Sequence, residues 1–257
     1  MNEIHPLVSV IMTVYNEVDV VGAAIESVLG QTLQDFELLV VDDASTDGSL
    51  EVIESYAARD FRIRTIRNPT RSRGGPVEWD ARNDGLKLAR GRFLAYPDGD
   101  NTLKPGFLKT LSEVLLRDPK IQLAHCDSCN HYPPGVAEQV IAADLRDLAE
   151  SGPDWTVFSY EFLDPRRLGA GIYIDANEIL HRTSVFRTLG TLWRTFHPRR
   201  TEINALQVPR RTYRRHADLD LVERIVEAFG AESVYHVPQP LVDFYYTGAK
   251  RDGLKPE

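Results

Sequence analysis

The sequence predicts an α/β fold with a mainly parallel, Rossmann-like central sheet flanked by helices. Two observations carry this prediction. Short apolar runs, each the length of a buried strand, alternate with segments whose apolar residues recur at helical spacing. The runs are also nearly continuous, as in strands that helices cover on both faces. Strict alternation of strand and helix favours right-handed crossovers and a parallel sheet.

The first half of the chain contains the clearest elements. A β-branched run is followed by a helical pattern that ends at Gly30, and the same succession begins again after Gly48. A polar, glycine-rich loop precedes the last helix of this half. The predicted elements are strands at 7–13, 36–41, 63–66 and 93–96 and helices at 20–29, 50–57 and 77–89.

The second half is less regular and predicts a smaller, mixed region. Its clearest signal is a long amphipathic helix that ends before Gly230. A polar segment of weak periodicity, 133–168, is expected to cover the site. The other predicted elements are helices at 108–116, 183–189 and 218–229 and strands at 121–126, 171–174 and 241–246.

Carboxylates follow two of the predicted strands. Asp42 and Asp43 come directly after the second strand, and the fourth runs into Asp98-Gly99-Asp100. Because parallel strands end at a common sheet edge, where ligands bind in such folds, these carboxylates are expected to converge. Hard cations such as Mg²⁺ and Mn²⁺ prefer oxygen ligands. The sequence therefore predicts a Mn²⁺ or Mg²⁺ site at this edge.

Charge and hydropathy narrow the class of protein. The 257 residues carry a net charge of -8, which disfavours nucleic acid as a partner. No apolar run approaches the roughly 20 residues of a membrane span, and the N-terminus lacks a signal-peptide pattern. A cytoplasmic protein without a transmembrane segment is expected, with peripheral membrane contact left open. The arginine-rich segment Arg194–Arg215 is either a solvated surface or a contact for an anionic partner.

Both cysteines lie in one short segment, between His125 and His131, and superficially suggest a zinc site. A strand through this segment would point neighbouring residues to opposite faces and scatter the ligands. No second Cys pair is present. Cys126 and Cys129 are therefore expected to be structural thiols in a reducing compartment.

Four blocks of sequence, in order, resemble glycosyltransferase family 2. They are Val8–Glu17, Glu37–Gly48, Ala81–Gly85 and Asp98–Asp100. The resemblance implies the GT-A fold over a single domain, 1–257, and an inverting transfer of a hexosyl type. It also implies a nucleotide-sugar donor, with UDP favoured and dTDP and GDP open, a divalent cation and a hydroxyl acceptor. A dinucleotide-dependent oxidoreductase is disfavoured because the first turn has no Gly-x-Gly-x-x-Gly.

The resemblance also implies roles for individual residues. Asp100 would be the principal metal ligand, with Asp98 beside it on the ribose, the metal or metal-bound water. Thr13 and Tyr15 would line the base pocket and Asp43 would bind base or ribose, although an Asx-turn is the plain alternative for Asp43. The full predicted nucleotide-binding set is Thr13, Val14, Tyr15, Glu17, Asp43, Arg71, Arg73, Arg82 and Asp98.

Three arginines belong to the predicted nucleotide-binding set because of where they lie in the sequence. Arg71 and Arg73 lie in the glycine-flanked loop and are candidates for diphosphate contact or idle surface residues. Arg82 either covers the sheet edge or holds Asp98.

The family's Glu-Asp motif corresponds to Ala217-Asp218, with Arg224 as its trailing arginine. Asp218 is the predicted catalytic base, and capping of the helix is its alternative or additional role. The predicted division is a nucleotide-sugar-binding half, 1–120, and an acceptor-binding and catalytic-base half, 121–257. Because Ala217 replaces the glutamate, a catalytically degenerate nucleotide- or carbohydrate-binding protein is the alternative.

Overall fold

A computed structural model describes residues 5–72, 81–133, 147–152, 154–159, 174–189 and 216–246. Its described strands form one mixed sheet of ten strands. The first half of the chain supplies β1 (Val8–Val14), β2 (Phe36–Asp42), β3 (Ile63–Arg67) and β4 (Phe93–Ala95). These four lie in the order β3-β2-β1-β4, and every adjacent pair is parallel. The predicted parallel α/β arrangement is confirmed.

Three helices connect these strands. They are α1 (Val21–Leu29), α2 (Ser49–Ala57) and α3 (Arg82–Leu88), and residues 73–80, where the last helix was predicted to begin, lie outside the described residues. In α3, Gly85 lies so close to the sheet that a Cβ there would overlap Ile11 Cγ2. A residue without a side chain therefore allows α3 to approach β1 closely.

The second half adds antiparallel strands. β9 (Ile179–Arg182) pairs antiparallel with both β4 and β6 (Leu123–His131), so β6 runs parallel to β4. β10 (Val234–Tyr245) is parallel to β6, and β5 (Thr102–Leu103) is antiparallel to β10. The carboxyl ends of β1, β2, β4, β6 and β10 therefore share one edge. A hairpin of β7 (Asp147–Ser151) and β8 (Trp155–Ser159) joins β6.

Hydrophobic residues pack on both faces of the sheet. One cluster joins alternate residues of β1 to α1 and to α4 (Phe107–Arg117). The other joins the opposite face to α6 (His216–Phe229) and to the short helix α5 (Val185–Leu189). Burial on both faces explains why the early strands have continuous apolar sequences. Among the described residues, no helix has the length and apolar character needed to cross a bilayer.

The main differences from the predicted element boundaries lie in the second half of the chain, where β6 also continues five residues past the predicted end at 126. The strand predicted at 171–174 falls mainly outside the described residues, and β9 comes later, after a 3₁₀ turn at Ala176–Glu178. β10 begins seven residues before the predicted 241 because bulges at Pro240 let the strand continue past proline. α6 begins at His216, so Asp218 lies in its first turn and not at the N-cap.

Candidate active site

The loops after β1 and β2 are tied to each other. Asn16 and Ala44 both have left-handed backbone, with φ of 54° and 63°. The Asn16 backbone N–H donates to Ser45 Oγ at 3.0 Å, and the Thr46 N–H donates to Asn16 Oδ1 at 2.8 Å. The two loops therefore form a fixed frame beside the sheet edge.

The Asp98-Gly99-Asp100 motif is attached directly to the end of β1. Thr13 and Asp98 form a parallel bridge, and Gly99 N–H donates to the Thr13 carbonyl at 3.0 Å. A Cβ at Gly99 would overlap Glu17 Oε2 and would lie 2.8 Å from Val14 Cγ2, closer than packed atoms approach. Contact with β1 and with the Glu17 side chain therefore explains the glycine between the two aspartates.

Asp98 is held by side chains from three elements. Thr13 Oγ1 donates to its Oδ1 at 3.1 Å, and the Arg82 guanidinium lies 3.6 Å from the same oxygen. Asn177 donates to Asp98 Oδ2 at 2.9 Å and accepts the Asp98 backbone N–H at 2.7 Å. Of the two roles predicted for Arg82, the structure therefore supports the one that holds Asp98.

Asn177 was not predicted as a site residue. It lies 79 positions from Asp98 in the sequence and comes close only because β9 lies next to β4. The local signal for its segment is a capping box, in which Asp175 and Glu178 bond each other's backbone N–H groups around the 3₁₀ turn. That box fixes the turn, and the turn directs Asn177 to Asp98.

Asp175 adds a second carboxylate behind Asp98. It accepts a hydrogen bond from Asn177 Nδ2 at 2.9 Å. Burial raises its pKa above the usual range, and the negative charge of Asp98 raises the pKa further. Asn177 therefore lies between two carboxylates and donates to both.

Asp43 holds the loop that follows β3. Its backbone N–H donates to the Val14 carbonyl at 2.8 Å. Its carboxylate accepts from Asn68 Nδ2 at 3.0 Å and from the N–H and hydroxyl of Ser72 at 2.9 and 2.8 Å. The Asx-type contact belongs to its neighbour instead, because Asp42 Oδ1 accepts from Ser45 N–H at 3.3 Å.

Tyr15 and Arg71 meet above this edge. The Arg71 guanidinium carbon lies 3.7 Å from the centroid of the Tyr15 ring, a cation–π contact. Tyr15 is half-buried and Arg71 is exposed. The structure therefore brings together an aromatic face and a cation from two separately predicted positions.

The donor set at this edge suits a hard cation. Asp98 and Asp100 are partly exposed, and both offer carboxylate oxygens. Both oxygens of Asp98 already accept hydrogen bonds, from Thr13 and Asn177. Oxygen ligands from one or two carboxylates are typical of Mg²⁺ and Mn²⁺ sites, so the residues fit the predicted metal.

The structure describes only some of the remaining predicted residues. Val14 is buried beneath the site, and the Glu17 backbone N–H donates to Ser49 Oγ at 2.8 Å at the start of α2. Asp218 has its backbone in α6, while its side chain lies outside the described residues, as do Arg73 and the segment 194–215. Further along α6, Arg224 pairs with Asp220 at 2.8 Å, and both are buried.

Solved structures show that this protein has a GT-A fold. Staphylococcus aureus TarS (residues 1–349) in complex with UDP-GlcNAc superposes with a TM-score of 0.62 over 96% of this chain and 59% of that one, at 19% identity. Glucosyl-3-phosphoglycerate synthase from Mycobacterium tuberculosis, in complex with Mn²⁺, UDP and glucosyl-3-phosphoglycerate, gives a TM-score of 0.56 over 97% of this chain and 74% of that one, at 17% identity. At these identities the likeness establishes the fold.

The sequence itself identifies the family. The model of glycosyl transferase family 2 matches residues 9–139, just over half of the chain, and the chain belongs to that family. An uncharacterized glycosyltransferase of Bacillus subtilis, EpsJ, is 41% identical over 108 residues, which are 42% of this chain and 30% of that protein. The matches span about a third of the length of the first such relatives.

Proposed function

We propose that this protein transfers a sugar from a nucleotide-diphosphate donor to a hydroxyl group of an acceptor, with inversion at the anomeric carbon. The observation that supports the proposal is the contact of Thr13 and Arg82 with Asp98 at the carboxyl edge of a GT-A sheet, where the Asp43 N–H also bonds the Val14 carbonyl. Family membership supports the same reaction class. A UDP-sugar is the favoured donor, since two GT-A neighbours were solved with UDP or UDP-GlcNAc, and dTDP and GDP remain alternatives.

The two aspartates of the proposed cation site have different roles. Asp100 is the principal ligand for Mn²⁺ or Mg²⁺. Asp98, whose oxygens already bond Thr13 and Asn177, contacts the ribose or metal-bound water. When bound, the cation would supply positive charge to the leaving diphosphate. One of the neighbours was solved with Mn²⁺, which supports this class of metal.

The proposed nucleotide pocket lies between the ends of β1 and β2. Tyr15 stacks on the base, with Arg71 either retained on the other face of the ring or displaced towards the diphosphate. Asp43 binds base or ribose, and it can accept from a ligand while it holds Ser72 because each carboxylate oxygen has two lone pairs. The other residues in the proposed set are Thr13, Val14, Glu17, Arg73 and Arg82.

Asp218 is the proposed general base. It takes the proton of the acceptor hydroxyl while that oxygen bonds the anomeric carbon and the diphosphate departs. A single base suffices for inversion. The proposed division of the chain follows: residues 1–120 bind the donor, and 121–257 bind the acceptor and supply the base. The arginines of 194–215 suit an anionic acceptor or the donor diphosphate.

The alternative is a degenerate protein that binds a nucleotide or carbohydrate without transfer. Ala217 favours it, because the family's motif has glutamate at that position. Release of nucleoside diphosphate distinguishes a transferase from a protein that only binds. We expect slow release of nucleoside diphosphate from one sugar nucleotide in a panel, with water or added hydroxyl acceptors.

The matched variant is Asp218→Asn, which keeps size and hydrogen bonding but removes the base. It should bind the donor as tightly as wild type and release diphosphate at least about 100-fold more slowly. Donor binding without any release by the wild type would favour the degenerate protein. Equal release rates in wild type and Asp218→Asn would remove Asp218 from its proposed role.

A further inference from the structure

A thiol, an imidazole and a carboxylate meet where β6 and β10 end. Cys129 pairs with Asp243 in the parallel register of these strands, and His131 lies two residues further along the same face of β6. His131 Nε2 is 2.9 Å from Asp243 Oδ1. Ligand atoms of all three side chains lie within 4.8 Å of one another.

Hydrogen bonds hold this group together. Those to Asp243 and Cys129 raise the pKa of His131 to about 9, so a metal ion that binds here displaces the ring proton into solvent. Asp243 is buried, and its second oxygen is 2.6 Å from Lys104 Nζ. The Lys104 side chain is 43% exposed, so its ammonium group can turn into solvent when a metal cation takes its place.

The geometry points to a metal site: we propose that Cys129, His131 and Asp243 bind a transition-metal ion of the Zn²⁺ class. Thiolate sulfur, imidazole nitrogen and carboxylate oxygen are ligands that Zn²⁺ accepts, commonly three with a fourth position for water or another ligand. Bonds of about 2.1 Å to nitrogen and oxygen place two tetrahedral ligands about 3.4 Å apart. The observed 2.9 Å between Nε2 and Oδ1 requires only a small adjustment.

The proposed site also matches the charge of the ion. A thiolate and a carboxylate together carry the two negative charges that neutralise a divalent cation. When the Lys104 ammonium departs, His131 is the remaining cationic partner of Asp243 among the described residues, and it binds metal in its neutral form.

This site uses different residues from the oxygen-donor site of the proposed function, and the two are structurally connected. Thr102, two residues after Asp100, pairs with Asp243. The side-chain carbonyl of Asn101 accepts the Tyr245 N–H at 3.2 Å, and the Tyr245 ring stacks on His131 at 4.7 Å between centroids. A bound ion would therefore fix the ends of β6 and β10 beside the Asp98–Asp100 turn.

Cobalt titration tests the site, because only a thiolate ligand gives a sulfur-to-Co²⁺ charge-transfer band in the near ultraviolet. The reduced full chain is freed of metal with a chelator, exchanged into buffer and titrated with Co²⁺, and Zn²⁺ is then added. We expect one equivalent of Co²⁺ per chain to produce the band and Zn²⁺ to abolish it. Cys129→Ser should weaken binding by more than about 100-fold, since even loss of an outer-shell partner costs 10- to 100-fold.

Two control variants distinguish this site from others. Cys126→Ala removes the other thiol, which is buried and belongs to the hydrophobic core, and should keep the band. Asp100→Asn should also keep it, because that site offers oxygen ligands only. No charge-transfer band in the wild type would overturn the proposal, as would a band that survives in Cys129→Ser or disappears in Cys126→Ala.

A second measurement does not depend on the colour of cobalt. Zn²⁺ should slow the alkylation of Cys129 at least 10-fold, as mapped by mass spectrometry, and His131→Gln should remove this protection. Equal alkylation rates with and without Zn²⁺ would mean that the three side chains form only an ion-pair network. Loss of nucleotide binding in Asp100→Asn with the cobalt band intact would separate this result from the proposed transfer activity.

Discussion

Replacement of Asn177 by alanine should destabilise both the fold and the proposed metal site. Asn177 is 1% exposed, and its side chain makes three hydrogen bonds. Two join it to the N–H and the carboxylate of Asp98, and the third joins it to the Asp175 carboxylate. Hydrogen bonds to charged groups contribute about 1.5–3 kcal/mol each. Asp98 is 32% exposed, so water replaces part of what is lost. We expect the free energy of unfolding to fall by about 2–4 kcal/mol.

The assay combines urea unfolding with nucleotide titration in Mn²⁺. Gln31→Ala is the matched control, since Gln31 is an equally buried amide with three hydrogen bonds, all to neutral backbone groups. It should lose comparable stability and keep nucleotide affinity, whereas Asn177→Ala should lose about 10-fold in affinity as well.

An isosteric variant tests the electrostatic part of the argument. Asn177→Asp places a third carboxylate between Asp98 and Asp175, and like charges at this distance favour protonation. The folded-state pKa of the new carboxyl is then raised, so the variant should gain stability relative to wild type as the pH falls from 7 to 5. A constant difference across this range, or a loss of under about 1 kcal/mol in Asn177→Ala, would refute the reasoning.

Three further predictions concern the scaffold and are read out by urea unfolding. Gly85→Ala should lower the free energy of unfolding by about 1–3 kcal/mol, because the new Cβ overlaps Ile11. Gly22→Ala, whose Cβ meets only Tyr56 at 3.4 Å, should instead raise it by up to about 1 kcal/mol by stabilising α1. Equal effects of the two variants would contradict the packing argument. Burial lowers the pKa of His181 from 6.5 to about 4. The stabilisation that the neutral imidazole gives is therefore complete above pH 6.5, and the free energy of unfolding should fall by about 3 kcal/mol as the pH falls to 4. His181→Gln should flatten this pH dependence. Hydrogen bonds from Ser9 and Arg90 hold the pKa of Glu37 below 4.5 despite its burial. The contribution of Glu37 to the free energy of unfolding should therefore be present above pH 4.5 and disappear in more acidic solution. A Glu37→Gln variant whose stability falls with acid in the same way as that of the wild type would contradict this.

The parallel half of the fold was predictable because its signals are local. The apolar runs of β1, β2 and β4 are continuous, and turn residues follow each of them. Parallel strands end at one edge, so the loops after these strands were predicted to lie together, whereas the contact of Thr13 with Asp98 also depends on β1 lying next to β4. The GT-A fold and the family were confirmed on the same motifs.

The antiparallel half was less predictable because its contacts are long-range. β9 is four residues long and offers a weak pattern, yet it carries Asn177 to Asp98 across 79 positions. The last strand was predicted to begin only at 241, after the prolines at 238 and 240, whereas the bulges that let β10 include them depend on pairing with β6.

The cysteine segment shows how far a strand-alternation argument extends. Alternation places Cys126 and Cys129 on opposite faces, and Cys126 is buried in the core while Cys129 is not. The strand was predicted to end at 126, whereas β6 continues to His131, so Cys129 and His131, two residues apart, share a face. Nor did the sequence indicate that Asp243, from a distant strand, would lie beside them.

Calorimetric titration of UDP, dTDP and GDP, with and without Mn²⁺, on wild type and Asp100→Ala tests the central claim most directly. The claim is a metal-dependent nucleotide site at the carboxyl edge of the sheet. We expect one nucleotide, UDP, to bind in the presence of Mn²⁺ and to lose most of its affinity without the metal or in Asp100→Ala. Binding of no nucleotide under either condition, or binding that is unaffected by Mn²⁺ and by Asp100→Ala, would contradict it.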